Sequence, residues 1–546
     1  MLNDAVNPAC RAACSLITIV WLLAAGRAWS GTLDPGLSEK IGKASTEEEF
    51  AVIVRLKDTV DHHELLASVA NAGRAVRQEK VIRNLRDRAD RSQQGLKKDL
   101  AEREQAGRVK QVRNFWIFNG FALTAPAGVV QDLAARDDVA EVVSDRTITM
   151  EASATVSAVP ASWNLSLIGA PPLWNLGFRG QGVVVASLDT GVDIGHPALK
   201  GKWRGGANSW FDPYLNSAAP YDYDGHGTGT MGIMVGGNTT GNPVGVAPGA
   251  LWIAAKIFDD SGNATLSNIH AAFQWVLDPD GNPATADAPD VVNNSWDLGN
   301  PGQYSGEFAP DIQGLRAAGI AVVFSAGNGG VPGFGQSNTS VSPGNNPGAF
   351  PVGATDSSDQ VASFSSRGPS AFDGASLYPL LVAPGVFIRT TDLNGTYSTF
   401  TNSGTSFAAA HLSGAVALLL SGRPPQLSGN PEALGNALTA AAQDLGSSGP
   451  DNTYGYGRLE AANAVIRLGL LPPPSPTGDV NGDGVVNMQD ALLVLQAAIG
   501  LVPVTSLMMQ QGDVAPFQNS APQPDGVIDG RDALVMLQKV VGALDF

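Results

Sequence analysis

Cysteine is almost missing from this chain: Cys10 and Cys14 are the only two among 546 residues. Both lie in the first 30 residues. From Gly31 onward no disulfide can form, so stability has to come from packing or bound metal. Lysine is scarce past Lys202, where only Lys256 and Lys539 follow. The net charge of −17 excludes a general nucleic-acid binder, because phosphates need a basic footprint. Beyond residue 30 no apolar run reaches the roughly 18 residues of a membrane-spanning helix, so no stable membrane anchor is expected. Charged residues are only 16% against 43% hydrophobic, which excludes wholesale disorder. Glycine (64) and proline (35) are abundant but follow no G-X-Y period, so the chain is loop-rich and globular rather than collagen-like.

At roughly 100–200 residues per domain, the length predicts two to four domains. Arg11 precedes an apolar run, Leu16 to Ala25, too short to span a bilayer. Ala28-Trp29-Ser30 then gives a small-x-small cleavage pattern before Gly31. Residues 1–30 read as an export signal and the protein as secreted. Residues 31–150 carry 19 basic and 19 acidic residues, whereas 151–546 carry 13 and 31. Two such compositions predict parts with separate fates. Segment 31–155 reads as a small α+β domain. Its strands are expected at Phe50–Leu56, Phe115–Leu123 and Val139–Val143. Helical patterns are expected around Leu65, Leu66 and Val69, over the charged stretch Lys80–Gln111, and over Ala127–Ala135. Segment 156–468 alternates apolar runs with helical stretches, which predicts an α/β fold with a mainly parallel sheet and helices on both faces. The runs are Val183–Leu188, Leu251–Phe258, Val291–Asn294, Ala321–Phe324 and Phe350–Ala354. Residues 469–477 form a Pro-rich linker.

Three separated elements of 156–468 carry chemistry. Asp189 ends a buried strand, at the edge where open α/β sheets bind ligands. His226 stands between glycines in Gly225-His226-Gly227. Ser406 opens a strong helix pattern, where the dipole favours a developing negative charge. A serine hydroxyl is a poor nucleophile at neutral pH; an imidazole must take its proton, and a carboxylate must orient that imidazole. Asn328, just after a strand, offers an amide hydrogen bond to an oxyanion. Gly227-Thr228-Gly229-Thr230-Met231-Gly232 matches a dinucleotide-binding pattern, but no strand precedes it, so nucleotide binding is not expected.

Asp189-Thr190-Gly191, His226-Gly227-Thr228, Ala326-Gly327-Asn328 and Gly404-Thr405-Ser406, in that order, resemble the motifs of the subtilisin-like serine proteases. The spacings suit that family: 37 residues from Asp189 to His226, then 180 to Ser406. Leu188–Asp193 and Asn293-Asn294-Ser295-Trp296 resemble its bacillopeptidase F-like branch. The resemblance implies a subtilisin-like fold over 156–468 and a secreted endopeptidase acting on protein or peptide substrates. Asp189, His226 and Ser406 would be its triad and Asn328 its oxyanion donor. It also implies that 31–155 is an inhibitory propeptide, a partner that the enzyme itself cuts off. Gly229 stands where the family usually has a second His, Ala410 where it has Pro, and Asp297 where it has Gly. These departures keep open an alternative, a catalytically silent binding protein on the same fold. Asp297 is read as a solvated loop carboxylate; beside a specificity pocket it would favour basic side chains. His196 and His411 are read as packing or local hydrogen-bonding groups, His270 as structural, and His62-His63 as a solvated pair.

Residues 478–546 hold an internal repeat. In the first copy Asp479, Asn481, Asp483, Val485 (by its carbonyl), Asn487 and Asp490 take the positions of a twelve-residue calcium loop, with Gly484 at the sharp turn. Hard oxygen ligands at this spacing suit Ca2+. The second copy keeps Asp513, Asp525, Val527, Asp529 and Asp532 but carries eight extra residues near Ala515–Pro522. The doubled pattern resembles dockerin-like domains, which implies a small all-α calcium domain and a cohesin-like partner.

Overall fold

Five strands from the charge-balanced segment pair into one sheet: β1 (Thr32–Leu33), β2 (Glu49–Leu56), β3 (Lys110–Phe115), β4 (Gly120–Pro126) and β5 (Val139–Ser144), in the order β1-β5-β2-β4-β3. The structure is a computed structural model describing residues 31–150, 162–239, 241–330, 336–398, 402–470, 478–481, 485–518 and 521–544. The export signal, most of the Pro linker and Asp483 lie outside the described residues. The chain divides into two compact units. One takes residues up to Thr59, Arg91–Asn114 and Asn119–Asp145; the other takes Val60–Asp90, Phe115–Phe118 and everything from Arg146.

The first unit is built on the five-stranded sheet. β2 runs antiparallel to both β4 and β5, and β1 parallel to β5. Val52, Val54, Phe121, Leu123, Val139 and Val142 supply the strand side of its core. Leu37 and Ile41, Leu96 and Leu100, and Val129, Val130 and Leu133 supply the helix side. The strand expected over Phe115–Leu123 is broken in the middle: Phe115 ends β3, residues 116–119 turn, with Asn119 at positive φ, and Gly120–Leu123 belong to β4. The charged stretch is two helices, Arg74–Ser92 and Gln94–Gln105.

The second unit contains β6 (Thr147–Thr149), antiparallel to β10 (Asn263–Thr265). Its main sheet comprises β7 (Val184–Asp189), β8 (Trp210–Phe211), β9 (Leu251–Lys256), β11 (Val291–Asn294), β12 (Ala321–Ser325), β13 (Phe350–Thr355) and β14 (Leu381–Pro384). The order is β14-β13-β12-β11-β7-β9-β8, and every pairing is parallel. β7, β9, β11 and β12 are buried at every residue, because helices cover both faces of the sheet. The helix Thr405–Leu419 is buried along its whole length. It is small and apolar all round, as a central helix must be. The order reverses at β7, which has β9 on one side and β11 on the other; open α/β sheets bind ligands beyond the carboxyl ends of such strands.

The tail contains the helices Met488–Ala498, Ser506–Gly512 and Gly530–Val540. The expected all-α fold needs one correction: β15 (Phe517–Gln518) and β16 (Ala521–Pro522) form a short antiparallel hairpin. That hairpin lies within the extra residues of the second copy.

Candidate active site

The carboxyl end of β7 delivers Asp189, whose carboxylate is 1% exposed. Its Oδ1 accepts the Thr190 N–H (2.7 Å) and lies 2.8 Å from His226 Nδ1. Thr230 Oγ1 donates to Oδ2 at 3.3 Å. The contact to Asp189 makes Nδ1 the protonated ring nitrogen and leaves Nε2 with a lone pair able to take a proton. His226 is the first residue of the helix His226–Val235, and its N–H donates to Asp224 Oδ1 at 3.0 Å. The neighbouring glycines serve the backbone rather than access to the ring. Gly225 sits at φ 98°, and a Cβ on Gly227 would lie 2.2 Å from the Gly191 carbonyl oxygen.

Ser406 is the second residue of the helix Thr405–Leu419, in the first turn, where backbone N–H groups lack helical partners. Its Oγ donates to the Ser295 carbonyl oxygen at 3.2 Å, and among the described residues no hydrogen bond joins it to His226. Ser295 Oγ in turn donates to the Ser406 carbonyl at 2.9 Å, which ties β11 to the helix. Asn328 Oδ1 accepts both the Thr405 N–H (3.0 Å) and the Thr405 hydroxyl (2.9 Å). A backbone N–H can only donate, so this fixes the amide and leaves Nδ2 as a donor. Asn328, Ser406, Ser295, Trp296 and Asp297 line one cleft of about 250 Å³. Sequence reasoning gave Ser295 no role, although it stood in a quoted motif.

The cleft has a further wall that sequence reasoning missed. Arg146 to Met150, including β6, lies along it. The Met150 N–H donates to the Gly262 carbonyl at 2.9 Å, continuing the β6–β10 ladder. The only sequence signal was position, at the very end of the charge-balanced segment. Residues 151–161, which hold the expected boundary between 31–155 and 156–468, lie outside the described residues. Asp297 also borders the cleft, where its Oδ1 accepts the Gly299 N–H at 2.7 Å.

Burial opposes a charge on His226, but the adjacent Asp189 charge and hydrogen bond outweigh it and hold the imidazole above its ordinary 6.5. A general base must be neutral. The acid limb of kcat/KM is therefore expected above pH 6.5, and Asp189→Asn should move it to lower pH; a pH–rate profile of both proteins checks this.

The other histidines stand apart from this chemistry. His411 Nδ1 donates to the Phe407 carbonyl (2.8 Å), so Nε2 accepts from Asn164 Nδ2 (2.7 Å). Burial pushes its pKa down to about 4, against a smaller upward pull from the Phe407 carbonyl. Between pH 6.5 and 4 the unfolded chain holds a proton that the folded chain does not. Stability is expected to fall across that window by roughly 3 kcal/mol. In urea unfolding, the stability of Ser406→Ala relative to Ser406→Ala/His411→Asn should fall by that amount across the window. His196 Nε2 donates to the Thr396 carbonyl, and His270 is held by Asp311 and Glu307. The expected solvated pair is half right. His63 is exposed, but His62 packs at the start of a helix near Asp311, and burial lowers its pKa.

The two tail copies share one set of aspartate contacts among the described residues. Asp490 Oδ1 accepts the N–H groups of Val480 and Asn481, and Oδ2 that of Asn487. Asp532 does the same for Val514, Ala515 and Asp529. Asp513 accepts the N–H groups of Asp525 and Gly526 across the inserted hairpin. Burial raises Asp513 well above the usual carboxylate range, with Asp532 and Asp525 adding to it, and burial lifts Asp532 to about 7. Crowded carboxylates of this kind fit a hard cation. Arg531 meanwhile pairs with Asp525 and Asp529.

A parallel sheet with a carboxylate, an imidazole, a serine and an amide donor at its carboxyl edge is the arrangement of a serine hydrolase. The model of the subtilase family matches residues 180–457, and the chain belongs to that family of subtilisin-like serine peptidases. It is 37% identical to bacillopeptidase F of Bacillus subtilis (strain 168) over 415 residues, 70% of this chain but only 28% of that protein. It is 34% identical to subtilisin J of Geobacillus stearothermophilus over 358 residues, 65% of this chain and 84% of that one. It is 35% identical to subtilisin of Bacillus pumilus over 304 residues, 56% of this chain and 98% of that one. The family match stops short of the tail.

Proposed function

We propose that this chain is a secreted serine endopeptidase made as a precursor that cuts itself. The observation that carries the reading is the Asp189–His226 pair, 2.8 Å apart, with the His226 ring 5.9 Å from the ring of Phe407, whose neighbour Ser406 shares a cleft with Asn328. Ser406 Oγ, once turned by one side-chain torsion from Ser295 toward His226 Nε2, attacks the peptide carbonyl. His226 takes its proton and returns it to the leaving amine, while Asp189 fixes the tautomer and stabilises the imidazolium. Asn328 Nδ2 and the Ser406 N–H hold the oxyanion. The substrate is an extended peptide paired as a strand with β10, as β6 pairs now.

In this reading residues 31–155 are the propeptide, and 156–468 are the enzyme. Residues 478–546 are a dockerin-like module whose loops hold Ca2+ and stabilise the tail, with a cohesin-like domain as its partner. Intact mass and N-terminal sequencing of wild type and Ser406→Ala, expressed in parallel, test the core of it. Wild type should lose about 120 residues beyond the signal, in line with one small domain, and Ser406→Ala should keep them. If both stay full length, self-processing is wrong and a silent scaffold on the same fold takes its place.

A further inference from the structure

At the end of β9 the fold buries a lysine that the chemistry above does not use. The Lys256 side chain is 1% exposed. The register of β7 and β9 sets Asp189 opposite Lys256, so the lysine lies beside the strand end that delivers the carboxylate. Its Nζ donates to the Thr190 carbonyl at 2.8 Å, pairs with Asp260 Oδ1 at 3.0 Å and stands 5.0 Å from the Tyr221 ring. These three contacts engage a group that has three protons to donate and nothing to accept with.

Stability alone does not require an ammonium here. Taking one out of water is expensive, and an apolar side chain of similar volume often serves as well or better. The Asp260 side chain is 43% exposed, so that pair stands half in water and contributes little. What the ammonium adds is a hold on Thr190, which is itself fully buried. Thr190 joins the two sides of the site. Its N–H donates to Asp189 Oδ1 at 2.7 Å, and its Oγ1 accepts the Gly227 N–H at 2.9 Å, in the first turn of the helix that begins at His226. Tyr221, whose ring faces the ammonium, accepts the Val192 N–H at 3.2 Å on its own carbonyl and so closes the same turn.

We propose that Lys256 is a positioning residue for the Asp189–His226 pair, acting through Thr190. Its kinetic consequence rests on the serine-protease reading above. Lys256 pins the carbonyl end of Thr190 and Asp189 pins its N–H, so Thr190 cannot turn, and its hydroxyl holds Gly227 beside His226. Without the ammonium Thr190 gains freedom and the 2.8 Å contact between Asp189 and His226 loosens. The imidazole then spends time in orientations from which it cannot take the serine proton. Lys256 is not among the residues that line the cleft, so the loss falls on turnover and not on substrate binding.

Lys256→Met keeps the length of the side chain and removes the donor. On chains freed of residues 31–155 by an added protease, it should lower kcat about tenfold with KM nearly unchanged, less than the roughly hundredfold that misplacement by about 1 Å can cost. In an Asp189→Asn background the same change should cost less than about twofold, since the pair to be positioned is gone; a general loss of structure would cost as much in both. The second readout is the far-downfield proton resonance of His226 Nδ1–H in the Ser406→Ala precursor, which needs neither self-cutting nor turnover. Lys256→Met should broaden it or move it upfield. Equal losses in both backgrounds, or an unmoved resonance, overturn the proposal. If the freed wild type hydrolyses no peptide, the serine-protease reading fails and the resonance alone decides the role of Lys256. If circular dichroism shows Lys256→Met unfolded, Lys256→Gln, whose amide ends one bond short of the ammonium position, takes its place. If neither folds, Lys256 is a structural residue and the proposal falls.

Discussion

Ser406→Ala is expected to lower kcat on a peptide substrate about 10⁶-fold, with KM nearly unchanged; that magnitude is a subtilisin measurement applied here to a relative. The physical reason is local. Without Oγ no acyl intermediate forms, and His226 has no proton to take. His226→Ala should cost about as much, and the double variant little more, because the two groups act on one proton. Residual hydrolysis above the water rate should survive in all three, supplied by the oxyanion donors and by binding along β10. Because none of these variants would cut itself, each is first freed of residues 31–155 by an added protease, and steady-state kinetics at a protein concentration set by absorbance measure this. A small, additive loss would mean that Ser406 and His226 do not share a reaction step.

Asn328→Ala is expected to lower kcat about 10²–10³-fold while KM holds, again a figure measured on a subtilisin. The ground-state carbonyl gains little from Asn328 Nδ2; the developing oxyanion gains much, so the loss falls on turnover. Asn328 also has a structural duty, since its Oδ1 receives the Thr405 N–H and hydroxyl. Asn328→Asp separates the two roles. It keeps an acceptor for Thr405 and has no amide to donate. If Asn328→Asp matches Asn328→Ala in kcat, the donor matters; if it retains turnover, the Thr405 contacts do.

The sheet was legible because a parallel strand buried on both faces has to be mostly apolar, and β7, β9 and β12 are, with polar residues chiefly at their carboxyl ends. Asp189, His226, Asn328 and Ser406 could be proposed from sequence because each stands in a short motif where chain direction and side chain are set together. What was illegible depends on distant pairing. Thr147–Thr149 is too short and too ordinary to announce a strand, and only β10 makes it one. Phe115–Leu123 reads as one apolar run because Asn119, the turn residue at positive φ, sits between aromatic neighbours. Burial that comes from packing between distant segments is encoded by no local pattern. His62 looked solvated for the same reason.

The strand β6 has a kinetic consequence. It belongs to the same chain as the cleft it lines, so on the proposed reading the first cut is unimolecular. Its half-time should be unchanged on dilution. A strand tethered at close range is present at an effective concentration of the order of millimolar. A foreign peptide at micromolar concentration is then outcompeted about a thousandfold until that strand leaves. The lag before such a peptide is turned over should therefore reflect departure of the strand, and adding more peptide should shorten it little.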